Sequence, residues 1–420
     1  MGSVTAIDYD QLFSASGRAR GPDALAAMAH LSDTNNIQVR MHGGLPAAAN
    51  FPFESFSYTL RNGQRSTVEE ASKVSMAQQY NLTLTGHPDL RHWMRQHVLN
   101  QHRPPSQHDT YVSSGTNHAL EVVTALMMER GDPILCEEFS YFYMLDSVIT
   151  AAGYKVLPVA MDEYGMKPEH LSKILQQRSE LGMNIPRLLY TVPVGQNPTG
   201  TTVPLERRRQ LYKVAQEWNL IIIEDDAYYY LQYPNGADKL PGTHALGASY
   251  LSMDTDGRVV RMDSCSKLLA PGLRLGWVTA APPLLEKMAM HTHASLNGPN
   301  GICQALLMEL LDQWGEAGFE KYVLSMQAEY QRRAAILHAA VEKELTGLVE
   351  WRRPTAGMFM WLKLLAGVRD ADEVLPQLAE DGVMASDGDM QLAAIRLTVI
   401  LHNYPERHHN ILKPQPGLLL

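Results

Sequence analysis

The sequence predicts an α/β protein built on a mostly parallel sheet that is sandwiched by helices. Between about residue 110 and residue 280, short apolar runs alternate with stretches of helical period. The runs are TYVSSG, DPILCEE, KVLPVAM, RLLYTVPV, LIIIEDD, RVVRMDS and RLGWVTAA. This alternation is typical of parallel strands joined by helical crossovers. Ligands of such sheets bind at the carboxyl ends of the strands, so the polar residues that follow each run are the candidates for chemistry.

A chain of 420 residues, of which 45% are hydrophobic and 19% charged, can bury a large core, and we expect two lobes. An amphipathic pattern from about residue 295 to 343 predicts helices that lead to a smaller α+β domain. That domain would contain the segments GMFMWLKL, EVLPQLAEDGV and AAIRLTVIL. We therefore predict an N-terminal arm with part of the small domain at 1–60, a large domain at 61–310 and a small C-terminal domain at 311–420.

Composition excludes several classes of partner. The formal charge of −9 argues against nucleic acid or an anionic membrane as the main partner, and no apolar stretch of membrane-spanning length occurs. Three scattered cysteines, Cys136, Cys265 and Cys303, do not suit a disulfide framework or a zinc site, and they favour a reducing compartment. The first residues, MGSVTAIDYD, lack the apolar core of a signal peptide. We expect a cytoplasmic protein without a membrane anchor.

The stretch DSCSKLLAPGLRLGW contains the first candidate for catalysis, Lys267. A solvated loop lysine is the common case. Here, however, Pro271 and Gly272 predict a turn, and the apolar segment that follows predicts a buried strand. A lysine held near buried structure loses its proton more easily, and a neutral amine attacks carbonyl groups. The stretch therefore favours a lysine that forms a Schiff base.

Polar residues follow three other predicted strands. Thr116 and Asn117 begin a helical pattern, where an anion site and an ordinary helix cap are equally consistent with the sequence. Asn197 lies in the cluster PVGQNPTG, where a turn residue is the alternative. Asp225 ends the run LIIIED, and Tyr228 lies three residues later. A metal-binding pair of carboxylates is the alternative, but no histidine lies at suitable spacing and we expect no metal.

These four elements together match one ligand. An anion site, a donor to a phenolic oxygen, a carboxylate for a ring nitrogen and a lysine for an aldehyde are what pyridoxal 5′-phosphate requires. The sequence supplies each of them at the end of a predicted strand.

Seven motifs, in their order along the chain, carry a resemblance to a known family. They are GGLPAAANFPF, QQYNLTLTGHPDLRHWM, SSGTNHALEVV, GDPILCEEFSYF, PVGQNPTGTT, EDDAYYYLQY and SCSKLLAPGLRLGW. The chain resembles the pyridoxal-phosphate-dependent aminotransferases of fold type I, and among them the aromatic amino acid, kynurenine and 2-aminoadipate aminotransferases. The likeness extends from about residue 40 to residue 365.

The resemblance implies roles around the cofactor ring. Lys267 would form the Schiff base and then act as the base that moves the Cα proton. Asp225 would pair with the pyridinium nitrogen, which makes the ring an electron sink. Tyr228 and Asn197 would donate hydrogen bonds to the phenolic oxygen, and Tyr141 would stack on the ring.

The resemblance also implies how the phosphate is held. Its ligands would be Thr116, Asn117, Ser264 and Arg274. Tyr80 matches a residue that the family lends to the phosphate of the neighbouring subunit. A homodimer with shared active sites is therefore expected.

For the substrate, Gly43 and Gly44 match a segment that lies over the site, and Gly44, Asn197 and Arg396 are the predicted substrate-binding residues. In AAIRLTVIL, Arg396 alternates with apolar residues, so a strand would turn it away from the core; a solvated strand arginine is the alternative. The stretches QWGEAGFEKY and PTAGMFMWLKL resemble the aromatic and aminoadipate subgroup. We predict transamination of an aromatic amino acid with 2-oxoglutarate or a similar 2-oxo acid.

Other functions stay open at this point. Kynurenine or 2-aminoadipate would be the alternative donor, and a lyase or synthase on the same fold would carry the same cofactor residues. A cofactor-sensing regulator would need a DNA-binding domain, for which the roughly 40 residues before the first motif leave no room. After LAEDGVM the family's Pro-Gly turn is missing and the last residues do not show a helical pattern. This atypical end is incomplete, specialised or the result of a faulty gene model, and it keeps a catalytically inactive scaffold among the alternatives.

Overall fold

A computed structural model of the chain describes residues 7–21, 44–80, 83–233 and 239–365, with residues 376 and 380 and the backbone of 386–387 and 396–400. The strands are β1 (Phe56–Thr59), β2 (Arg65–Val68), β3 (Asp109–Ser113), β4 (Pro133–Glu137), β5 (Lys155–Val159), β6 (Met161–Asp162), β7 (Gly165–Met166), β8 (Leu188–Thr191), β9 (Ile221–Asp225), β10 (Val259–Ser264), β11 (Gly276–Ala280), β12 (Val349–Trp351), β13 (Phe359–Leu364), β14 (Ser386–Asp387) and β15 (Arg396–Ile400).

The described α-helices flank these strands. They are α1 (Tyr9–Leu12), α2 (Ala15–Ala19), α3 (Ala71–Gln78), α4 (Pro88–His102), α5 (Thr116–Met127), α6 (Phe142–Met144), α7 (Pro168–Glu180), α8 (Leu205–Glu217), α9 (Cys265–Leu268), α10 (Pro282–Leu296) and α11 (Gly301–Leu345). The long helix α11 follows the predicted amphipathic pattern and kinks at Gly315. None of the helices described is both long enough and apolar enough to cross a membrane.

All seven apolar runs of the sequence form strands, namely β3, β4, β5, β8, β9, β10 and β11. Every residue of β4, β8, β9, β10 and β11 is buried. Strands covered on both faces have no solvent side, which is why these runs are continuous rather than alternating. The half-exposed β5 ends its row of strands and has a more mixed sequence.

The chain divides into two compact units, residues 1–129 with 254–318 and residues 130–253 with 319–420. In the first unit, β11 lies between β3 and β10 and is antiparallel to both. Gly276 pairs with Ser113 of β3 and with Ser264 of β10. The carboxyl ends of β3 and β10 therefore meet at one edge, together with the start of β11.

In the second unit, the strands β9, β8, β4 and β5 are neighbours in that order, and all are parallel. Their register brings the last residues of three strands, Glu137, Thr191 and Asp225, to the same edge. This is the parallel arrangement that the sequence predicts, and it collects polar side chains at the carboxyl ends.

The second unit also contains an antiparallel sheet in the order β12-β13-β15-β14. The predicted segments GMFMWLKL and AAIRLTVIL contribute β13 and β15, and Arg396 pairs with Lys363 across them. Most of EVLPQLAEDGV and the whole C-terminal tail lie outside the described residues. The domain boundaries after residues 60 and 310 stay predictions.

Candidate active site

The turn between β10 and β11 places Lys267 on a short helix instead of a loose loop. Ser264, the last residue of β10, caps α9 through its Oγ, which accepts a hydrogen bond from the Ser266 amide at 3.1 Å. The Cys265 amide donates to the Leu275 carbonyl at 3.0 Å and closes the turn. Cys265 itself is buried. The turn is therefore anchored on both sides of the lysine.

The environment of Lys267 suits a nucleophilic amine. The residue as a whole is exposed, yet the protein atoms around its ammonium group lower its pKa through desolvation. A lower pKa raises the fraction of neutral amine near pH 7, which is the form that attacks a carbonyl.

Arg274 lies against the start of α5. It follows the 3₁₀ turn Pro271–Leu273 with φ +51°, and its Nη1 donates to the Pro271 carbonyl at 3.2 Å and to Ser266 Oγ at 3.4 Å. Gly115 immediately precedes α5 with φ +85°, and a Cβ added there would lie 3.0 Å from Arg274 Nη2. Only glycine adopts this conformation readily and leaves the guanidinium its place.

This arrangement fits a phosphate. The N-terminus of α5 carries a partial positive charge, and no side chain caps it. Two positive groups at one place favour an anion between them. The predicted phosphate ligands Thr116, Asn117, Ser264 and Arg274 thus all lie at the strand ends of the first unit.

Asp225 ends β9 in the second unit and is only 8% exposed. The hydroxyl of Tyr190 on β8 donates to its Oδ2 at 2.9 Å. The preceding carboxylate, Glu224, instead accepts hydrogen bonds from the amides of Tyr250 at 2.7 Å and Leu251 at 3.2 Å. Because successive strand residues face opposite ways, the two carboxylates have separate partners. The geometry does not support the alternative of a metal-binding pair; it suits a carboxylate that stabilises a buried cation.

Tyr228 and Asn197 meet beside Asp225. The Asn197 side chain hydrogen-bonds the Tyr228 hydroxyl. Burial, chiefly, and then the Asp225 charge raise the pKa of the phenol, so it keeps its proton and can donate it in a hydrogen bond. The half-buried Tyr141 adds to the same electrostatic field, and the Phe359 ring lies edge-on to Tyr228 at 5.6 Å. The second unit therefore forms an aromatic group around a buried carboxylate.

The loop that carries Asn197 packs on the segment before β13 without intervening side chains. Gly195 has φ +53°, and a Cβ on it would lie 2.4 Å from the Cα of Gly357. A Cβ on Gly200 would lie 2.5 Å from the Phe359 carbonyl oxygen. These contacts fix Asn197 and Phe359 relative to one another.

Other predicted residues are placed but not brought into these groups. Tyr80 lies in the first unit with 54% of its surface exposed. Gly44 is exposed, and a Cβ on it would meet no atom within 4 Å. Arg396 begins β15, but its side chain lies outside the described residues, as does Gly43.

Three residues were missed by sequence reasoning: Tyr190, Glu137 and Phe359. Tyr190 lies inside a buried run, and only the register of β8 against β9 reveals its partner. Glu137 could have been found, because it ends an apolar run in the same way as Asp225 does. Phe359 stands in the recognised segment PTAGMFMWLKL, but its contact with Tyr228 joins distant parts of the chain.

Known proteins with similar sequences and structures indicate the family of this chain. Residues 55–401 match the family model described as aminotransferase class I and II. A mitochondrial kynurenine/alpha-aminoadipate aminotransferase of Bos taurus is 34% identical, over 89% of this chain and 88% of its own. An L-tyrosine:2-oxoglutarate aminotransferase of Serpula lacrymans is also 34% identical, over 85% of this chain and 75% of its own. The crystal structure of aminotransferase Aro8 from Candida albicans shares 28% identity and superposes with a TM-score of 0.88, covering 97% of each chain.

These matches confirm the predicted fold type I and the predicted cofactor, pyridoxal 5′-phosphate. The matched residues extend over both units and include the group around Lys267 and Arg274 and the group around Asp225 and Tyr228. The chain belongs to the class I and II aminotransferases.

Proposed function

We propose that this aminotransferase transfers the amino group of an aromatic amino acid to 2-oxoglutarate or a similar 2-oxo acid. The observation that carries the proposal is Phe359, whose ring lies edge-on to Tyr228 at 5.6 Å, beside the buried Asp225. Flat side chains of this kind pack well against a ring in the substrate. The Serpula lacrymans relative, named as a tyrosine:2-oxoglutarate enzyme, supports the same choice.

We further propose a cofactor-binding role for the residues of each group. When bound, pyridoxal phosphate supplies an electron sink for the carbanion formed at the substrate Cα. Arg274 and Ser264, with the start of α5, would bind its phosphate, and Asp225 would keep the ring nitrogen protonated.

The remaining residues orient the ring and move the proton. Tyr228 and Asn197, which lie together beside Asp225, would donate hydrogen bonds to the phenolic oxygen, and Tyr141 would stack on the ring. Lys267 would hold the cofactor through its amine and, once that amine is free, would move the Cα proton of the substrate to the cofactor. Its desolvated amine is suited to accept a proton near neutral pH.

For substrate binding we propose Gly44, Asn197 and Arg396, with Arg396 gripping the α-carboxylate through two parallel hydrogen bonds. Its place on β15, opposite Lys363, supports the predicted strand. Replacement of Arg396 by lysine keeps the charge but loses the planar pair of donors. We expect kcat/KM to fall about 30-fold or more for every donor, while the absorption band of the bound cofactor stays unchanged. A change of less than about threefold in Arg396→Ala would mean that another residue binds the carboxylate.

Donor choice is tested with a panel of amino acids and 2-oxoglutarate, by measuring glutamate formation. Phenylalanine, tyrosine or tryptophan should give the highest kcat/KM. First place for kynurenine or 2-aminoadipate would favour the second candidate, which the name of the bovine relative supports. A preference for aspartate or alanine would contradict both. Release of ammonia without glutamate formation would indicate an eliminating lyase on the same fold.

We also propose a cytoplasmic homodimer with a biosynthetic role in aromatic amino acid metabolism. Four exposed apolar residues support a dimer surface on the first unit: Leu45, Phe53, Met76 and Tyr80. The Phe53 backbone is tied to α3 by two hydrogen bonds with the Gln78 side chain, at 3.1 and 2.9 Å. Sedimentation should therefore give twice the chain mass, and Tyr80→Phe should weaken cofactor binding. A monomer with full cofactor affinity would contradict the shared site.

A further inference from the structure

Glu137 is a buried carboxylate for which the functions above give no role. It ends β4, is 1% exposed, and receives hydrogen bonds from three donors. These are the Thr191 hydroxyl at 2.5 Å, the Val192 amide at 3.2 Å and the Gln196 side-chain amide at 3.4 Å. A buried charge is costly, so such a residue calls for an explanation.

Thr191 is the last residue of β8, and Val192 and Gln196 lie in the loop at 192–201 that carries Asn197. The side chain of Gln196 makes several hydrogen bonds that stabilise this loop. Its side-chain oxygen accepts from the Thr199 amide at 2.9 Å and the Thr199 hydroxyl at 2.7 Å, while its side-chain nitrogen also donates to the Phe139 carbonyl at 2.5 Å. Asn197, the next residue, bonds the Tyr228 hydroxyl. Glu137 thus accepts hydrogen bonds both from Val192, at the start of the loop, and from Gln196, next to Asn197.

We propose that Glu137 is a positioning residue for transamination: its buried carboxylate fixes the loop at 192–201, so that Asn197 and Tyr228 keep the geometry needed to hydrogen-bond the phenolic oxygen of the cofactor. The proposal rests on the function proposed above. Glu137 acts through Gln196 and Asn197 and does not touch substrate or cofactor itself.

The pKa of the Glu137 carboxyl is also shifted toward neutral pH. Burial raises the pKa of its carboxyl to about 7, against the three hydrogen bonds that lower it, and the nearby Asp225 charge adds to the rise. The other ionisable groups that share its field are Tyr190, Cys136 and Tyr250, and burial raises the pKa of each of them. Glu137 is therefore the group in this set that changes charge near neutral pH.

The sign of the stability effect follows from this shift. Between the ordinary glutamate pKa and about 7, the folded protein binds a proton that the unfolded chain does not. The contribution of Glu137 to folding stability therefore falls as pH rises through that window. The ionised carboxylate, which is the form in the proposal, is therefore the form that destabilises the fold. Such a compromise between stability and activity is known at functional sites.

Glu137→Gln tests the proposal in the full-length protein loaded with pyridoxal phosphate, with Glu138→Gln as the matched control. Glu138 is the adjacent carboxylate, and it accepts from the Met161 amide at 3.2 Å instead of from the Asn197 loop. The measurements are kcat/KM from pH 5.5 to 8.5, the pH titration of the visible cofactor band, and thermal unfolding at pH 5.5 and pH 8.

We expect Glu137→Gln to lower kcat/KM at pH 8 by about tenfold, to shift the midpoint of the band titration, and to remove a pH-dependent limb near 7. Its melting temperature at pH 8 should equal or exceed that of the unaltered protein. Glu138→Gln should stay within about twofold in kcat/KM with an unshifted band. If activity and stability of Glu137→Gln fall together while the band titration is unmoved, the role is structural only and the proposal is wrong.

Gln196→Leu is the second variant, in case the first does not fold. It cuts the link between Glu137 and the loop, so it should shift the band titration in the same direction. An unshifted band with normal kcat/KM in this variant overturns the proposal. A failure of the proposed function looks different, because the unaltered protein would then show no cofactor band or no transamination with any donor.

Discussion

The Lys267 group of the first unit and the Asp225 group of the second differ in their exposure to water. Lys267 and Arg274 are exposed, and their surroundings are hydroxyl groups and a helix end. Asp225 and Tyr228 are buried, and their surroundings are phenols and a second carboxylate. Water and salt screen charges in the first group far more than in the second. Contacts in the exposed group should be individually modest and salt-dependent, and those in the buried group few and strong.

Lys267→Ala should have the largest effect and is the exception to this rule, because its role is covalent chemistry and does not depend on burial. We expect turnover to fall by about four powers of ten or more. The protein should lose the visible band of lysine-bound cofactor, measured by absorption after dialysis. Lys213→Ala, an exposed lysine on α8 that lies 3.8 Å from Glu217, is the control and should keep band and turnover. Covalently attached cofactor in Lys267→Ala would refute the assignment.

Asp225→Asn tests the buried group directly. Asparagine keeps the shape and can still accept from Tyr190, but it cannot stabilise a protonated ring nitrogen. We expect kcat/KM to fall by about three powers of ten while cofactor binding persists, measured by steady-state kinetics and absorption. Near-normal turnover would make Asp225 a structural residue.

Arg274→Ala tests the exposed group. Loss of one charged donor to the phosphate should weaken cofactor binding by about 10- to 100-fold, measured by titrating the apoenzyme with pyridoxal phosphate. The difference from the unaltered protein should shrink at high salt, because the contact is exposed. Arg209→Ala, an exposed arginine that lies 3.4 Å from Glu206 on α8, should bind the cofactor normally. A salt-independent loss would show that the Arg274 contact is shielded from solvent.

Tyr190→Phe should have the smallest effect, since it removes one hydrogen bond and leaves the charge in place. A bond from a neutral donor to a buried carboxylate suggests a loss of about tenfold in kcat/KM. Tyr250→Phe is the matched control: it is equally buried, and within the described residues its hydroxyl has no hydrogen-bond partner. Equal losses in the two variants would mean that packing, and not the bond to Asp225, causes the effect.

Sequence reasoning predicted what is local. The seven strands predicted from apolar runs include five that are wholly buried, and each run is followed by turn residues, so their positions could be predicted without knowledge of their neighbours. Asp225 is the last residue of β9, and Lys267 and Asn197 lie in the segments that follow β10 and β8, so the predicted placement near strand ends is observed.

What depends on register could not be predicted. The bond from Tyr190 to Asp225 exists because β8 and β9 are paired so that Tyr190 lies beside Ile223. The approach of Arg274 to Gly115 joins residues 159 positions apart, and neither residue contains a local signal for the other. Glu137 and Gln196 are 59 positions apart, and their hydrogen bond forms only because β4 and β8 are paired.

The contact of Gly195 with Gly357 has a consequence for changing the substrate range of the enzyme. Two backbones touch there with no side chain between them, so their spacing is set by atomic radii alone. In the proposed substrate site, more room cannot be obtained by displacing the Phe359 segment, because that segment would carry the Asn197 loop with it. Directed evolution should therefore find new specificity in the identity of the Phe359 side chain, and any library that varies position 195 or 357 should yield few active clones.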